Sequence, residues 1–207
     1  MKKLVLVIAA VVFMAAAALA EFNLRTSIDV SGDYEASTGG NSVSSDVNTS
    51  FTLSGEYMRC VAGQYLKLGG GFEVLMPRTY ERDTYHGYKF DDVFWYMPLY
   101  FSAQTNPLKP VPELFFRLNL GYNLIYFDTN WDIGSVRSIR YNGGFYYALA
   151  AGWEFPFGLF ADVTYAVYNS SVKYSYWYSS SWYRETIDIT YTRIGIGVGY
   201  KFGRPRK

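Results

Sequence analysis

Polar and apolar residues alternate with a period of two along most of this sequence, and no other feature limits the fold as strongly. The clearest run extends from Phe22 to Val30, where Phe, Leu, Thr, Ile and Val occupy every second position. Asn, Arg, Ser and Asp fill the positions between them. Such a period places alternate side chains on opposite faces of a β-strand. Because no convincing helical period follows residue 20, we expect an all-β fold.

Seven further segments repeat the alternation, which gives eight strands in all. They cover residues 47–58, 65–77, 92–104, 114–127, 144–155, 159–170 and 186–203. Eight such strands predict an antiparallel up-and-down β-barrel. Pro98 lies within the fourth strand, where it cannot donate a ladder hydrogen bond, so we expect a β-bulge there. Apolar residues at 187, 189 and 191 have the opposite parity to those from 194 onward, which predicts either a bulge near 191–193 or a stretch standing above a membrane.

The first 20 residues form a separate segment. Two lysines precede an apolar run from Leu4 to Ala17, and Ala18-Leu19-Ala20 has the small residues of a cleavage site. This pattern predicts a helical secretory signal peptide that is removed after Ala20. Glu21 follows, so the cysteine needed for lipid attachment is missing at that position. We therefore divide the chain into a signal peptide (1–20), a barrel (21–203) and a short tail (204–207).

Three features favour a barrel that spans a membrane, with an apolar outside, over a soluble barrel with an apolar inside. The polar face consists of Ser, Thr, Asn and Gly with isolated charges, whereas a soluble surface would carry far more Lys and Glu. With the chain entering from the periplasm, the connectors alternate between short and long, as in outer-membrane barrels. The apolar face also carries aromatic residues near both strand ends, as expected at two membrane interfaces. One rim would hold Phe22, Tyr57, Phe101, Trp153, Phe155, Tyr200 and Phe202, and the other Tyr34, Trp95, Tyr126, Phe145 and Tyr147.

The end of the chain resembles a known family. The segment from Gly197 to Phe202, with Tyr200 between them, is similar to the terminal strand by which outer-membrane proteins are recognised by the barrel assembly machinery. Residues 97–101 and 117–122 also resemble strands of the small outer-membrane β-barrel domain family, which includes OmpA-type and OmpX-type barrels. The resemblance implies an eight-stranded transmembrane barrel in the outer membrane of a Gram-negative bacterium. It also implies that Gly197, Tyr200 and Phe202 act as an assembly signal.

Strand parity directs five basic and five acidic side chains into the barrel. An eight-stranded barrel is just wide enough for its own side chains, and unpaired charges in so narrow a space are costly. We therefore expect a neutral, paired interior that conducts poorly. The ten lumen charges are Arg25, Lys67, Arg117, Arg193, Lys201, Asp29, Glu56, Glu73, Glu154 and Asp162.

Candidate sites in the connectors are few. The chain has a single histidine, His86, which could serve a lipid A-modifying enzyme but fits a solvated loop residue better, because no local motif orients it. Asp128, Asn130 and Asp132 have the alternation of a calcium loop, but the glycine is displaced and the terminal Glu is missing. Cys60, the only cysteine, lies in a predicted periplasmic turn and has no disulfide partner. No cofactor or multi-histidine metal site is expected.

The segment 174–183 is rich in Tyr, Trp and Ser, which are the residues that binding loops favour. It predicts either a surface-recognition loop or a continuation of the last two strands as a hairpin covered by aromatic rings. Its large side chains are Tyr174, Tyr176, Trp177, Tyr178, Trp182 and Tyr183.

The sequence as a whole predicts a non-enzymatic, integral outer-membrane protein with a structural or surface-interaction role through its long extracellular loops. The alternatives are a narrow channel or carrier for small solutes, a lipid A-modifying barrel enzyme and, at the level of fold, a soluble periplasmic lipocalin-like barrel. Expected partners are outer-membrane lipid and lipopolysaccharide, the assembly machinery and an unknown surface ligand. The formal net charge of +1 gives no reason to expect nucleic acid.

Overall fold

The computed structural model describes residues 21–39, 41–62, 65–79, 93–108, 111–128, 136–178 and 181–203. The segment 1–20, the tail 204–207 and the loop with His86 lie outside these residues. No described helix is long and apolar enough to cross a membrane.

Ten strands form one antiparallel sheet. Strand β10 pairs with β9 on one side and with β1 on the other, so the sheet closes into a barrel. Strand β2 pairs with the outer half of β1 and continues the wall beyond β3, while the short β5 pairs with β6 beyond β4. The barrel therefore has eight strand positions, and the predicted up-and-down topology is confirmed. The strands are β1 (Glu21–Thr38), β2 (Asn41–Asp46), β3 (Phe51–Ala62), β4 (Leu66–Leu75), β5 (Arg78–Thr79), β6 (Val93–Thr105), β7 (Leu114–Asp128), β8 (Val136–Glu154), β9 (Leu159–Tyr178) and β10 (Ser181–Phe202).

The wall has the polarity of a membrane barrel. On β10, Ile196 and Val198 point outward and are 53% and 57% exposed, whereas Arg193 and Lys201 point inward and are buried. Exposed large apolar side chains recur on the outer face around the barrel and form a continuous apolar belt. An apolar belt around a polar interior is the arrangement that a bilayer stabilises.

Beyond the apolar belt, the polar and apolar faces of the strands exchange sides. The pairing of β9 with β10 is regular from Ser181 to Tyr200, so the bulge expected near 191–193 does not occur. Ile187, Ile189 and Tyr191 instead point inward, where the lumen changes from polar to apolar. The outer halves of these strands thus have a polar outside and an apolar inside, as in a soluble sheet.

A bulge lies on β1 instead, between Asp29 and Ser31. It leaves Val30 and Ser31 both facing outward and changes the parity of all later residues in the strand. Tyr34, which we expected among the outer aromatic rim, is consequently buried inside the barrel. The sequence prediction for Tyr34 was wrong because an extra residue in one strand turns every following side chain to the opposite face.

The irregularity expected at Pro98 is present on one side of β6, where six residue steps from Phe72 to Arg78 face five steps from Leu99 to Phe94, so the extra residue lies on the facing strand. The pairing of β6 with β7 passes through Pro98 without a register shift. On the irregular side, pairing lapses between Leu99, opposite Phe72, and Phe94, opposite Arg78. The interruption of this ladder spans Pro98, which has no N–H to donate.

Strands β8, β9 and β10 extend well beyond the predicted ends. β8 begins at Val136, and β9 and β10 are paired as far as Tyr178 and Ser181. Much of the predicted loop 171–185 is therefore a hairpin that continues the barrel wall. This agrees with the hairpin interpretation of segment 174–183, although the alternation did not indicate how far the strands extend, because Tyr, Trp and Ser occupy both faces there.

Candidate functional site

All ten predicted lumen charges point into the barrel and are buried. Glu21, which the parity analysis had not included, joins them as a sixth acid at the mouth where β1 begins. It occupies the same face of β1 as Arg25 and Asp29 and could have been recognised from its odd position.

The layer nearest the start of β1 contains two lysines and two glutamates. The Lys67 ammonium lies 2.7 Å from the Glu21 carboxylate and 3.7 Å from that of Glu154. Lys201 donates to Glu154, and the Gln104 amide donates to the same carboxylate at 2.9 Å. Each charge in this layer therefore has an opposite charge in contact.

The middle layer is built on two arginines. The Arg25 guanidinium donates to Asp162 from Nη2 at 2.6 Å and from Nε at 2.9 Å. Arg117 donates to Glu56 at 2.8 Å, and the Tyr100 hydroxyl donates to the same carboxylate at 3.1 Å. Arg–carboxylate contacts with two donors fix the geometry as well as the charge.

The outermost charged layer surrounds Arg193. Its guanidinium donates to Asp29 at 2.7 Å, to Glu73 at 2.8 Å and to the Tyr168 hydroxyl at 2.7 Å. The Tyr168 hydroxyl in turn donates to Glu73. One arginine thus joins strands β1, β4, β9 and β10 across the lumen.

Five buried aromatic rings pack together in the lumen beyond Arg193, and we call them the aromatic plug. The Tyr96 ring stacks on Tyr168 at a centroid distance of 5.4 Å and an interplanar angle of 12°. Phe94 contacts Tyr34 at 5.5 Å and Tyr191 at 5.6 Å. All five side chains are at most 6% exposed. The plug was not predicted, although the inward parity of residues 187–191 was its signal.

The β9–β10 hairpin extends the barrel wall beyond the aromatic plug. Trp182 and Tyr183, on opposite faces of β10, are 49% and 44% exposed. The Tyr174 hydroxyl donates to Glu185 across the two strands. Tyr176 and Trp177 are paired through β9 with Tyr183 and Trp182, and Tyr178 with Ser181. The aromatic residues of segment 174–183 therefore share one hairpin end.

Most of the remaining candidates lie outside the described residues. His86, Asn130 and Asp132 lie outside the described residues, and Asp128 ends β7. Cys60 lies in β3 rather than in a turn and is exposed with a free thiol. Among the described residues no group of three His, Cys, Asp or Glu side chains could hold a metal ion.

The residues of the assembly signal occupy both faces of β10. Gly197 lies against the Arg25 side chain inside the barrel. Tyr200 and Phe202 point outward, with ring centroids 4.7 Å apart, and Phe202 also approaches Phe22 of β1 at 6.3 Å.

Comparison with known proteins gives matches at the level of structure. No family model matches the sequence, and no curated protein matches it. The outer membrane protein OprG from Pseudomonas aeruginosa superposes with a TM-score of 0.52 at 12% identity, over 87% of this chain and 95% of that one. Neisserial surface protein A gives 0.51 at 12% identity, over 87% and 97%. Ail, the attachment invasion locus protein of Yersinia pestis, gives 0.50 at 14% identity, over 88% and 98%.

The chain has the fold of the small outer-membrane β-barrels. Its apolar belt, its polar interior and this fold together make it an integral protein of the outer membrane.

Proposed function

We propose that this protein is a non-enzymatic, closed barrel that holds a recognition hairpin above the outer membrane. The observation that carries the proposal is the exposure of Trp182 and Tyr183 at the end of a hairpin that is continuous with the barrel wall. Residues 181–193 of β10 precede the lipid-facing Ile194, which corresponds to roughly 40 Å along the strand at about 3.3 Å per residue.

The composition of the hairpin end supports recognition. Tyr and Trp provide large, rigid contact surfaces at low entropic cost, and serine provides adaptable hydrogen bonds. The strand pairing below fixes the two chains of the hairpin relative to each other, so binding would require little ordering of the backbone.

The closed interior argues against the channel alternative. The ion-paired layers and the aromatic plug occupy the lumen in series, and an open path would require both to be displaced. The enzyme alternative depends on His86, which lies outside the described residues, and it gains no support from the described ones.

The experiment uses intact cells that display equal amounts of wild-type protein or of a Trp182→Ser, Tyr183→Ser variant. Labelled cells are applied to printed glycans and to immobilised collagen, laminin and fibronectin. We expect wild-type cells to bind at least one of these surfaces and the variant to lose that binding. A matched variant, Leu149→Ser on the lipid-facing side of β8, controls for surface changes. Binding to none of the surfaces, or equal binding by the hairpin variant, would contradict the proposal.

We further propose that the barrel assembly machinery recognises Gly197, Tyr200 and Phe202 in β10. Their position on the strand that closes the barrel against β1 supports this role. Phe202→Ala should lower the amount of folded protein in the membrane, whereas Phe22→Ala, which alters the facing ring on β1, should change it little.

A further inference from the structure

Three basic side chains meet on the outward face of strands β8, β9 and β10 beyond the apolar belt. Arg140 of β8 lies directly opposite Lys173 of β9. Arg184 of β10 is paired with Ser175, which places it diagonal to Lys173 on the same face. All three side chains are exposed. We call this set the basic patch.

Arg140 and Lys173 lie directly opposite each other, and the exposed Asp188 of β10, paired with Ser171, is diagonal to Lys173 on the membrane side of the same face. Like charges directly opposite each other in an antiparallel pair destabilise a sheet. Within the described part of the chain, none of the three cations forms an ion pair. A bound anion that contacts two or three of them at once would remove the repulsion.

Beside the patch, the Asn142 amide donates to Ser171 at 3.5 Å on the adjacent cross-strand pair. This pair lies between the basic patch and the membrane. It adds uncharged hydrogen-bonding groups to the same outward surface. The outward surface between the basic patch and the membrane is therefore polar and does not favour an acyl chain.

The height of the patch indicates what faces it. On β9 and β10 the apolar belt ends at the pair Tyr165 and Ile194, and on β8 it ends at Phe145. Residues 165–173 of β9 then lead outward to Lys173, a vertical distance of about 20 Å at ~3.3 Å per residue and a strand tilt of about 40°. In the outer leaflet, lipid A places its phosphates near the hydrocarbon boundary, and the core sugars above it carry further phosphates and carboxylates. The patch is therefore level with the core rather than with lipid A.

We propose that Arg140, Lys173 and Arg184 form a docking site for the phosphate groups of the lipopolysaccharide core. Lys and Arg side chains near an anionic lipid surface attract it electrostatically, and arginine matches phosphate with two donors. The site lies on the outside of the barrel wall and uses no residue of the aromatic hairpin end. It would fix the orientation of the hairpin relative to the surrounding lipid.

A second copy of the chain is the competing occupant. The outward face of the β1–β2 pair has Asp33 directly opposite Asp46, with Glu35 next to them on the same face. Association of the basic patch of one barrel with this acidic surface of another would also neutralise charge. The position of the patch within the lipopolysaccharide layer favours the lipid, and the experiment separates the two.

The test uses the folded mature chain, immobilised in detergent, and three labelled probes: lipopolysaccharide with a phosphorylated core, the same material after removal of the core phosphates, and lipid A alone. The variant is Arg140→Gln, Lys173→Gln, Arg184→Gln, and Arg59→Gln changes an exposed cation at the periplasmic end as a control. Heat-modifiable gel mobility verifies that each protein is folded. We expect the triple variant to retain phosphorylated lipopolysaccharide at least about tenfold less than wild type, with the control unchanged. Removal of the core phosphates should bring wild type down to the level of the triple variant.

The proposal is overturned if the triple variant and wild type retain the phosphorylated probe equally. It is also overturned if the loss appears equally with lipid A alone or with the dephosphorylated core. If wild type self-associates without lipid, and the triple variant loses that association but still binds lipopolysaccharide, the patch is an interface between copies of the chain.

Discussion

Gly197 provides the space through which the Arg25 side chain crosses the lumen. A Cβ atom at position 197 would lie 2.6 Å from both Nε and Nη2 of Arg25. If residue 197 had a side chain, the Arg25 guanidinium could keep neither this position nor its contact with Asp162.

We therefore predict that Gly197→Ala destabilises the barrel by roughly 1–3 kcal/mol, the usual cost of overpacking. Urea unfolding in detergent, followed by tryptophan fluorescence, measures the change. Val198→Ala is the matched control, since the neighbouring residue points outward and should cost less. If the Gly197→Ala protein were as stable as wild type, the lumen would have more free space around Arg25 than the described distances indicate.

Arg193 contacts both Asp29 and Glu73, at 2.7 Å and 2.8 Å. Arg193→Leu would remove the positive charge that contacts both buried carboxylates, at a cost of about 3–5 kcal/mol. Arg193→Leu combined with Asp29→Asn and Glu73→Gln should recover part of the loss, because no uncompensated charge remains.

The same urea unfolding series tests this prediction, with Arg59→Leu as the control for an exposed arginine. We expect the control to change stability by less than about 0.5 kcal/mol. If the triple variant were no more stable than Arg193→Leu, hydrogen bonding and not charge would explain the role of Arg193.

Reconstituted wild-type protein should show no large, stable single-channel currents in a planar bilayer. The aromatic plug and the ion-paired layers close the lumen at different depths, so Tyr96→Ala alone should not conduct either. Steady currents from wild type would contradict the closed interior, and currents from Tyr96→Ala alone would show that the charged layers leave a path for ions.

The free thiol of Cys60 reports the orientation of the barrel. It lies at the periplasmic end of β3, so a membrane-impermeant maleimide should label it only after the outer membrane is permeabilised. In a Cys60→Ser background, Ser181→Cys at the hairpin should be labelled in intact cells. The reverse pattern would show that the hairpin faces the periplasm.

The alternation predicted the membrane-spanning part well because lipid requires one apolar face and a narrow polar lumen requires the other. The outer half follows a different rule, since its apolar residues face inward and pack into the plug. Ile187, Ile189 and Tyr191 showed this change of face, and a bulge was one of two possible explanations. The bulge at Val30 was not detectable, because Val30 and Ser31 each fit the alternation when considered singly.

The candidate site was only partly predictable for a related reason. Parity assigned the lumen charges to the inside, but the choice of partners depends on which strands face each other across the barrel. The contacts of Arg193 with Asp29 and Glu73 join residues 164 and 120 positions away in the chain. No local pattern contains that information.

The large sequence separations between the paired charges also affect the order of folding. Arg25 and Asp162 are 137 residues apart, on the first and the next-to-last of the strands. The pair can form only when β1 meets β10, since that pairing closes the ring. Until then both groups must remain hydrated, so the cross-lumen contacts belong to the last stage of assembly. Non-local contacts of this kind form slowly, and the barrel should therefore be slow to close and, once its charges are enclosed, slow to open.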